Sequence, residues 1–290
     1  MEYLTDPIVM RAVLNRFHFK FRKKYGQNFL MNADVLHKMA DAAGLTGDDF
    51  VLEIGPGFGT LTQVLSERAG SVLSVEVDRD LMEILDHTLF GLKNVTVINE
   101  DIMDTDIEAI AVDKNGGRPI KVCANLPYYI TTPVIMKLLK SHAPIESITV
   151  MVQNEVAKRM TASPGSKDYG ALTLACEYYA EPELICEVPA ADFYPSPKVD
   201  SAVVNLAVRD KPLFDIDEEK LFSVIRSVFS GRRKTIVNSL LNCPEIRSER
   251  TLIESAVEDA GFDKMIRGEK LCLKDFVKLT ELLENRKAFQ

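Results

Sequence analysis

From residue 50 onwards, short Val- and Ile-rich runs alternate with stretches of helical pattern. DFVLEIG, SVLSVEVD, NVTVINED, KVCANLP and SITVMVQ read as strands. TLTQVLSERAG, RDLMEILDHTLF, a shorter segment around DIEAIAV and TPVIMKLLKS read as the helices between them. No other feature narrows the fold as much. Strands joined by helices that cross the sheet lie parallel, and the crossovers are right-handed. These strands show little period-two alternation, so both faces of the sheet are covered. The pattern predicts an α/β fold with a doubly wound, mostly parallel sheet. Ahead of it, NADVLHKMADAAGL predicts a helix capped by Asn32 and stopped near Gly44.

The rhythm changes after ALTLACEYYA. ELICEVPAADFYPSPKVDSAVVNLAV holds two β-rich stretches around a Pro-rich loop, which predicts a terminal antiparallel strand pair. From residue 211 the sequence is helical: DEEKLFSVIRSVFS, RRKTIVNSLLN, TLIESAVEDAG and LCLKDFVKLTELLENR. Two domains are expected, residues 1–210 around the sheet, with a basic N-terminal arm, and an all-helical domain over 211–290. The helical part holds 15 Lys and Arg against 14 Asp and Glu, so the acidity behind the chain's net charge of −8 lies wholly in the first part.

Composition excludes several classes. No apolar run reaches the ~18–20 residues of a membrane span, and the N-terminus lacks a signal-peptide core. A cytoplasmic protein is expected. The five cysteines (123, 176, 186, 243 and 272) are scattered and never spaced as CxxC, which argues against disulfides and structural zinc. Each sits in an apolar stretch and reads as a small buried hydrophobe. No metal is expected. An acidic chain does not by itself suggest a polyanion binder, but its charge is uneven. Pro7 to Ala33 contains no acid and six bases, interleaved with Phe17, Phe19, Phe21 and Tyr25; Leu221 to Pro244 contains no acid and four bases. Two basic islands suit a nucleic acid, with ordinary solvated faces as the alternative.

VLEIGPGFGTLT (51–62) follows a strand and opens a helix. Gly55, Gly57 and Gly59 let the backbone turn sharply against a ligand. Glu76 follows Gly55 by 21 residues, at the end of the next strand, where an acid binds ribose hydroxyls. Glu53, just before the loop, would be unwelcome beside a pyrophosphate and suits a cationic ligand. S-adenosyl-L-methionine is cationic and carries no phosphate. Asp101, ending the third strand, can accept from its adenine amine. Helix capping by Glu53 and Asp101, or an NAD-type cofactor, are the alternatives. The sheet is then of the S-adenosylmethionine-dependent methyltransferase type.

The fourth strand stops abruptly on Asn125-Leu126-Pro127-Tyr128. In open α/β sheets the ligand lies at the carboxyl ends of the strands. There Asn125 offers an amide oxygen, and Pro127 fixes the chain so that carbonyls near Leu126 can face a pocket. Tyr128 offers a flat face. Two acceptors and a ring suit a planar heterocycle bearing an NH₂ group, namely adenine. Such acceptors can hold a weakly nucleophilic amine and stabilise the charge that grows as it attacks a methyl. A base within RNA or DNA must first leave its stack. Phe193, on a proline-stiffened loop, is the expected second stacking face, with core packing as the alternative.

KKYGQNFL, VLEIGPGFGTLT, VEVDRDL, NEDIMD, ANLPYYITTP and FYPSPKVDSAVV together resemble the bacterial small-subunit rRNA adenine-N6 dimethyltransferase family. The likeness runs from about residue 20 to the C-terminus. It implies transfer of two methyls to each of two adjacent adenosines in the 3′-terminal hairpin loop of 16S rRNA, in an immature small ribosomal subunit, by a monomer. It implies that Asn28 and Leu30 line the S-adenosylmethionine site, with Gly55 at the loop, Glu76 on the ribose and Asp101 on the adenine. Asn125 then touches both cofactor and target amine, and Tyr128 and Phe193 flank the flipped base. The rivals are a 23S rRNA adenine-N6 methyltransferase of the macrolide-resistance type, a non-catalytic ribosome assembly factor, and a DNA adenine methyltransferase.

Overall fold

The computed structural model describes residues 4–231 and 233–289, with Lys23 described by its backbone alone. The chain divides into two compact units, one of residues 1–157 and 180–210, the other of 158–179 and 211–290.

The first unit is built on a seven-stranded sheet. Its strands are β2 (Phe50–Ile54), β3 (Ser71–Glu76), β4 (Val95–Asn99), β5 (Ile120–Asn125), β6 (Ile145–Gln153), β7 (Ala180–Val188) and β9 (Ser201–Val208), in the order β4-β3-β2-β5-β6-β9-β7. The five strands of the alternating region are parallel, and β9 runs antiparallel to both β6 and β7. The winding reverses between β2 and β5, which opens a crevice at their carboxyl ends. The crossover helices are α3 (Thr60–Arg68), α4 (Arg79–Thr88), α5 (Ile107–Asn115) and α6 (Thr131–Leu139), and α7 (Asn154–Met160) follows β6. β2 and β5 are buried almost throughout, Glu53 and Lys121 included, as befits strands covered on both faces.

Ahead of the sheet, α2 (Ala33–Ala42) is capped as expected: Asn32 Oδ1 accepts from the amides of Asp34 and Val35. One core cluster joins Leu36 and Met39 of α2 to Leu65 of α3, and to Val51, Cys123, Met151 and Val203 of the sheet. A second joins Met10, Leu14, Phe29 and Phe58 to Leu81, Ile84 and Leu85 of α4. The basic arm thus carries structure that its charge pattern does not announce. α1 (Pro7–Arg16) starts at Asp6, whose side chain accepts from the Ile8 amide at 2.7 Å, with Pro7 in the first turn. That Asp-Pro signature was there to be read. Beyond it, β1 (Phe29–Leu30) pairs antiparallel with β8 (Phe193–Tyr194), matching Leu30 to Phe193.

In the second unit, α8 (Ala171–Tyr179) joins α9 (Glu218–Phe229), α10 (Ile236–Leu240), α11 (Arg250–Asp259) and α12 (Leu273–Asn285). Residues 158–179, which the alternation places with the sheet, group here. Two tyrosines hold them. Tyr169 Oη donates to the Leu271 carbonyl at 2.9 Å, and Tyr179 Oη donates to Glu218 at 2.6 Å while its ring stacks on Phe222. Cys123, Cys176 and Cys243 are buried as expected, whereas Cys186 and Cys272 are half-buried. No helix among the described residues is long and apolar enough to cross a membrane.

Candidate active site

The glycine loop leaves β2 at Gly55, whose amide donates to the Val75 carbonyl at 2.9 Å. Gly55 has φ +69°, and a Cβ there would meet nothing within 4 Å, so its backbone borders open space. Gly57 has φ +57°, and a Cβ would sit 3.1 Å from the Phe29 ring. A side chain at Gly57 would therefore be strained and would push the arm off the loop.

A cavity lies over these glycines. Asn28, Leu30, Gly55, Gly57, Glu76, Asn125, Leu126, Pro127, Tyr128 and Phe193 all line it, with the first turn of α3. Its empty volume, open mouth included, is about 790 Å³, within the range of cofactor sites. Asp101 does not line it. Asp101 lines a smaller neighbour that shares Gly55, Val77, Pro127 and Tyr129 with the first. Asp101 also closes its own turn, with Oδ1 accepting from the Met103 amide at 2.9 Å, but it caps no helix, because the N-cap of α5 is Asp106.

Neither cavity has a Lys or Arg among its lining residues. The carboxyl group that lines the first is that of Glu76. It is 5% exposed; Oε2 accepts from the Gly57 amide at 3.2 Å and Oε1 from the Asp78 amide at 2.7 Å. Burial outweighs those bonds and raises its pKa to about 7. A carboxylate without a cation, beside a backbone free of bases, suits a ligand that brings hydroxyl donors or positive charge and no phosphate.

The expectation for Glu53 needs correction. Parallel pairing sets Glu53 beside Ser74, and strand parity turns its side chain towards α3. Oε2 accepts from Thr62 Oγ1 at 2.7 Å and from Ser74 Oγ at 2.6 Å. Glu53 is 1% exposed, lies outside both cavity linings, and Oε1 has no hydrogen-bond partner. Burial raises its pKa to about 7. Glu53 neither meets a ligand nor caps a helix; it ties β2, β3 and α3 together beneath the loop.

At the end of β5, Asn125 Nδ2 donates to the Asn28 carbonyl at 3.3 Å, which leaves Oδ1 as the free acceptor of the amide. The Leu126 amide donates to the Met151 carbonyl at 3.0 Å and anchors the turn to β6. The Pro127 carbonyl is taken up by the Ile130 amide and by Thr131 Oγ1, the start of α6. Tyr128 is half-buried and fixed by a 2.8 Å hydrogen bond between its hydroxyl and Ser201 Oγ. Phe193 belongs to the core cluster at 5% exposure, as the packing alternative has it, and also borders the cavity. Among the described residues no ring contact joins Tyr128 to Phe193.

Sequence reasoning missed how the arm is fastened. Gln27 Nε2 donates to Asp78 Oδ2 at 2.6 Å, and Gln27 Oε1 accepts from the Arg22 amide at 2.9 Å. The Arg22 guanidinium pairs with Asp78 at 3.6 Å and with Asp80. Asp78 is fully buried, and its own amide holds Glu76. The signal was present, in a Gln beside Asn28 and two acids following Glu76, but nothing in the sequence states that they meet.

The sequence profile of the ribosomal RNA adenine dimethylase family matches residues 18–266. A protein of Lachnoclostridium phytofermentans named ribosomal RNA small subunit methyltransferase A is 52% identical over 288 residues, 99% of either chain. One of the same name from Clostridioides difficile is 41% identical over 99% of either chain. Among solved structures, a dimethyladenosine transferase from Plasmodium falciparum superposes with a TM-score of 0.75 at 28% identity, covering 90% of this chain and 99% of that one. The 23S rRNA methyltransferase ErmE gives 0.67 at 30% identity, covering 88% and 99%.

Proposed function

The chain belongs to the ribosomal RNA adenine dimethylase family and is an S-adenosylmethionine-dependent rRNA methyltransferase, and on that footing we propose that it dimethylates N6 of two adjacent adenosines in the 3′-terminal hairpin loop of 16S rRNA. The substrate is an immature small ribosomal subunit, and the enzyme acts as a cytoplasmic monomer. The observation that carries this reading is the wall shared by Asn125–Tyr128 and Glu76 around one cavity without a base.

The cavity fits the donor. Its carboxylate is unpaired with any cation, Gly55 leaves room at the loop, and no basic side chain awaits a phosphate. Asn28, Leu30, Gly55, Gly57, Glu76, Asp101 and Asn125 would hold S-adenosylmethionine. When bound, it supplies a methyl group on a positively charged sulfur. The chain's own part is to present the amine. Asn125 Oδ1 and the Leu126 carbonyl accept the two hydrogens of the adenine amine. Its lone pair is drawn out of the ring, and the positive charge that develops on nitrogen meets two oriented dipoles. No strong base is required, because the nitrogen loses its proton once it has gained a fourth bond. Tyr128, held by Ser201, and the cavity-facing part of Phe193 receive the flipped base and restore roughly 1–3 kcal/mol per base of lost stacking. The helical unit and the two basic islands supply phosphate contacts, Arg232 lying outside the described residues.

The test is transfer of tritiated methyl groups to small subunits that lack the mark, followed by digestion and identification of the nucleosides. Labelled N6,N6-dimethyladenosine in 16S rRNA is expected. The likeness to ErmE favours 23S rRNA as the second reading; label in free 23S rRNA instead would establish it. Absence of label in both would overturn the assignment.

A further inference from the structure

The two cavities at the sheet crest meet along Gly55, Val77, Pro127 and Tyr129. Two of these are large apolar side chains exposed to solvent, Val77 at 38% and Tyr129 at 57%. Core packing does not account for them. Tyr129 follows Tyr128 in the turn after β5, yet the two differ. Tyr128 is fixed to Ser201 of β9, whereas no hydrogen bond joins the Tyr129 hydroxyl to a described residue. The ring lies against the arm instead: a Cβ on Gly26 would stand 3.7 Å from Tyr129 Cδ1. Burial, then the charges of Asp101, Tyr25 and Glu76, raise the pKa of its hydroxyl.

A ligand that reaches from Glu76 to Asp101 must cross this shared strip. Its walls are apolar and one is flat. They offer no charge, and their chemistry matches the face of a purine nucleoside. We propose that the Tyr129 ring, with Val77, covers the nucleoside part of the methyl donor where it passes between the cavities, so that Tyr129 is a cofactor-binding residue. This rests on the reading of the cavity as the S-adenosylmethionine site. The two tyrosines of the NLPYY turn then divide their roles, Tyr128 facing the target base and Tyr129 the donor.

Calorimetric titration of S-adenosylhomocysteine and of 5′-methylthioadenosine, without RNA, tests the assignment on the full chain and on Tyr129→Ala and Tyr129→Phe. Both variants should unfold at the wild-type urea midpoint, since the side chain is exposed. Tyr129→Phe should bind both compounds within about twofold of wild type. Tyr129→Ala should lose affinity by on the order of tenfold, the worth of one stacking face, and by the same factor for both compounds, since both contain the nucleoside. Unchanged binding by Tyr129→Ala would overturn the proposal. A loss confined to S-adenosylhomocysteine would also overturn it, by placing the ring on the amino-acid end. Failure of the wild type to bind either compound would instead bring down the reading of the cavity, and this inference with it.

Discussion

Glu53 is a buried carboxyl group outside both cavity linings. Its ordinary pKa of 4.5 rises to about 7 in the folded chain, chiefly through burial. A rise of that size corresponds to about 3 kcal/mol at roughly 1.4 kcal/mol per pH unit. The sign follows from which form the fold prefers. The folded state favours the protonated acid, so this contribution is fully present below about pH 4.5 and is lost as the pH climbs through 7. Ionisation thus makes the sheet unit about 3 kcal/mol less stable at pH 8 than the same unit would be with a neutral group. Glu53→Gln is the perturbation of choice. It keeps the shape and one oxygen to accept from Thr62 and Ser74, and it cannot ionise. The new amide NH₂ inherits the unpartnered Oε1 site, which costs about 1–3 kcal/mol at every pH. The pH-independent cost cancels in a double difference. Urea titrations of both proteins, followed by far-UV circular dichroism, give unfolding free energies at pH 4.5 and pH 8. The variant's stability relative to wild type should improve by about 3 kcal/mol across that interval. Parallel pH profiles would show that Glu53 ionises freely in the folded protein, and the reasoning from burial would be refuted.

Asn125→Ala should bind small subunits as tightly as wild type in filter assays while losing at least about a hundredfold in single-turnover methyl transfer; equal losses in both would reassign Asn125 to binding. Glu76 is protonated below about pH 7, and hydroxyl donors favour its ionised form. Affinity for S-adenosylhomocysteine should therefore fall between pH 8 and pH 6, and titrations in buffers of different ionisation enthalpy should report proton release on binding at pH 6.5. Gln27→Ala removes the side chain that joins the arm to Asp78. It should weaken S-adenosylhomocysteine binding about tenfold, the worth of a hydrogen bond to a charged group, and should raise hydrogen exchange of the arm amides.

The parts of this fold that repeat a period were legible in the chain, and the parts that depend on contact were not. The five parallel strands each carry enough apolar residues in a row to declare themselves, and a helix between strands leaves little freedom in topology. The same order places Glu76 and Asn125 at the crest with no knowledge of side-chain positions. β1 and β8 are two residues long each, too short for any period, and they exist because Phe29–Leu30 finds Phe193–Tyr194. Glu53 shows the finer limit. Its place at the end of a strand was plain, but which side it faces depends on parity relative to Ser74 and Thr62, and one step along β2 would have reversed it. Residues 158–179 read as a continuation of the alternation, because the anchors that claim them, Leu271 and Glu218, come about forty residues later or more.

The position of β9 has a consequence for how this protein can be made. β9 lies between β6 and β7, although the ribosome delivers it after both. β7 has no edge to dock on until β9 has emerged, and the arm cannot be clasped until Phe193 and Tyr194 follow it out of the ribosome. A nascent chain halted before that point holds its five parallel strands and an unfinished donor crevice. The lining of the crevice, which includes Phe193, is therefore complete only when nearly the whole sheet-bearing unit has been made.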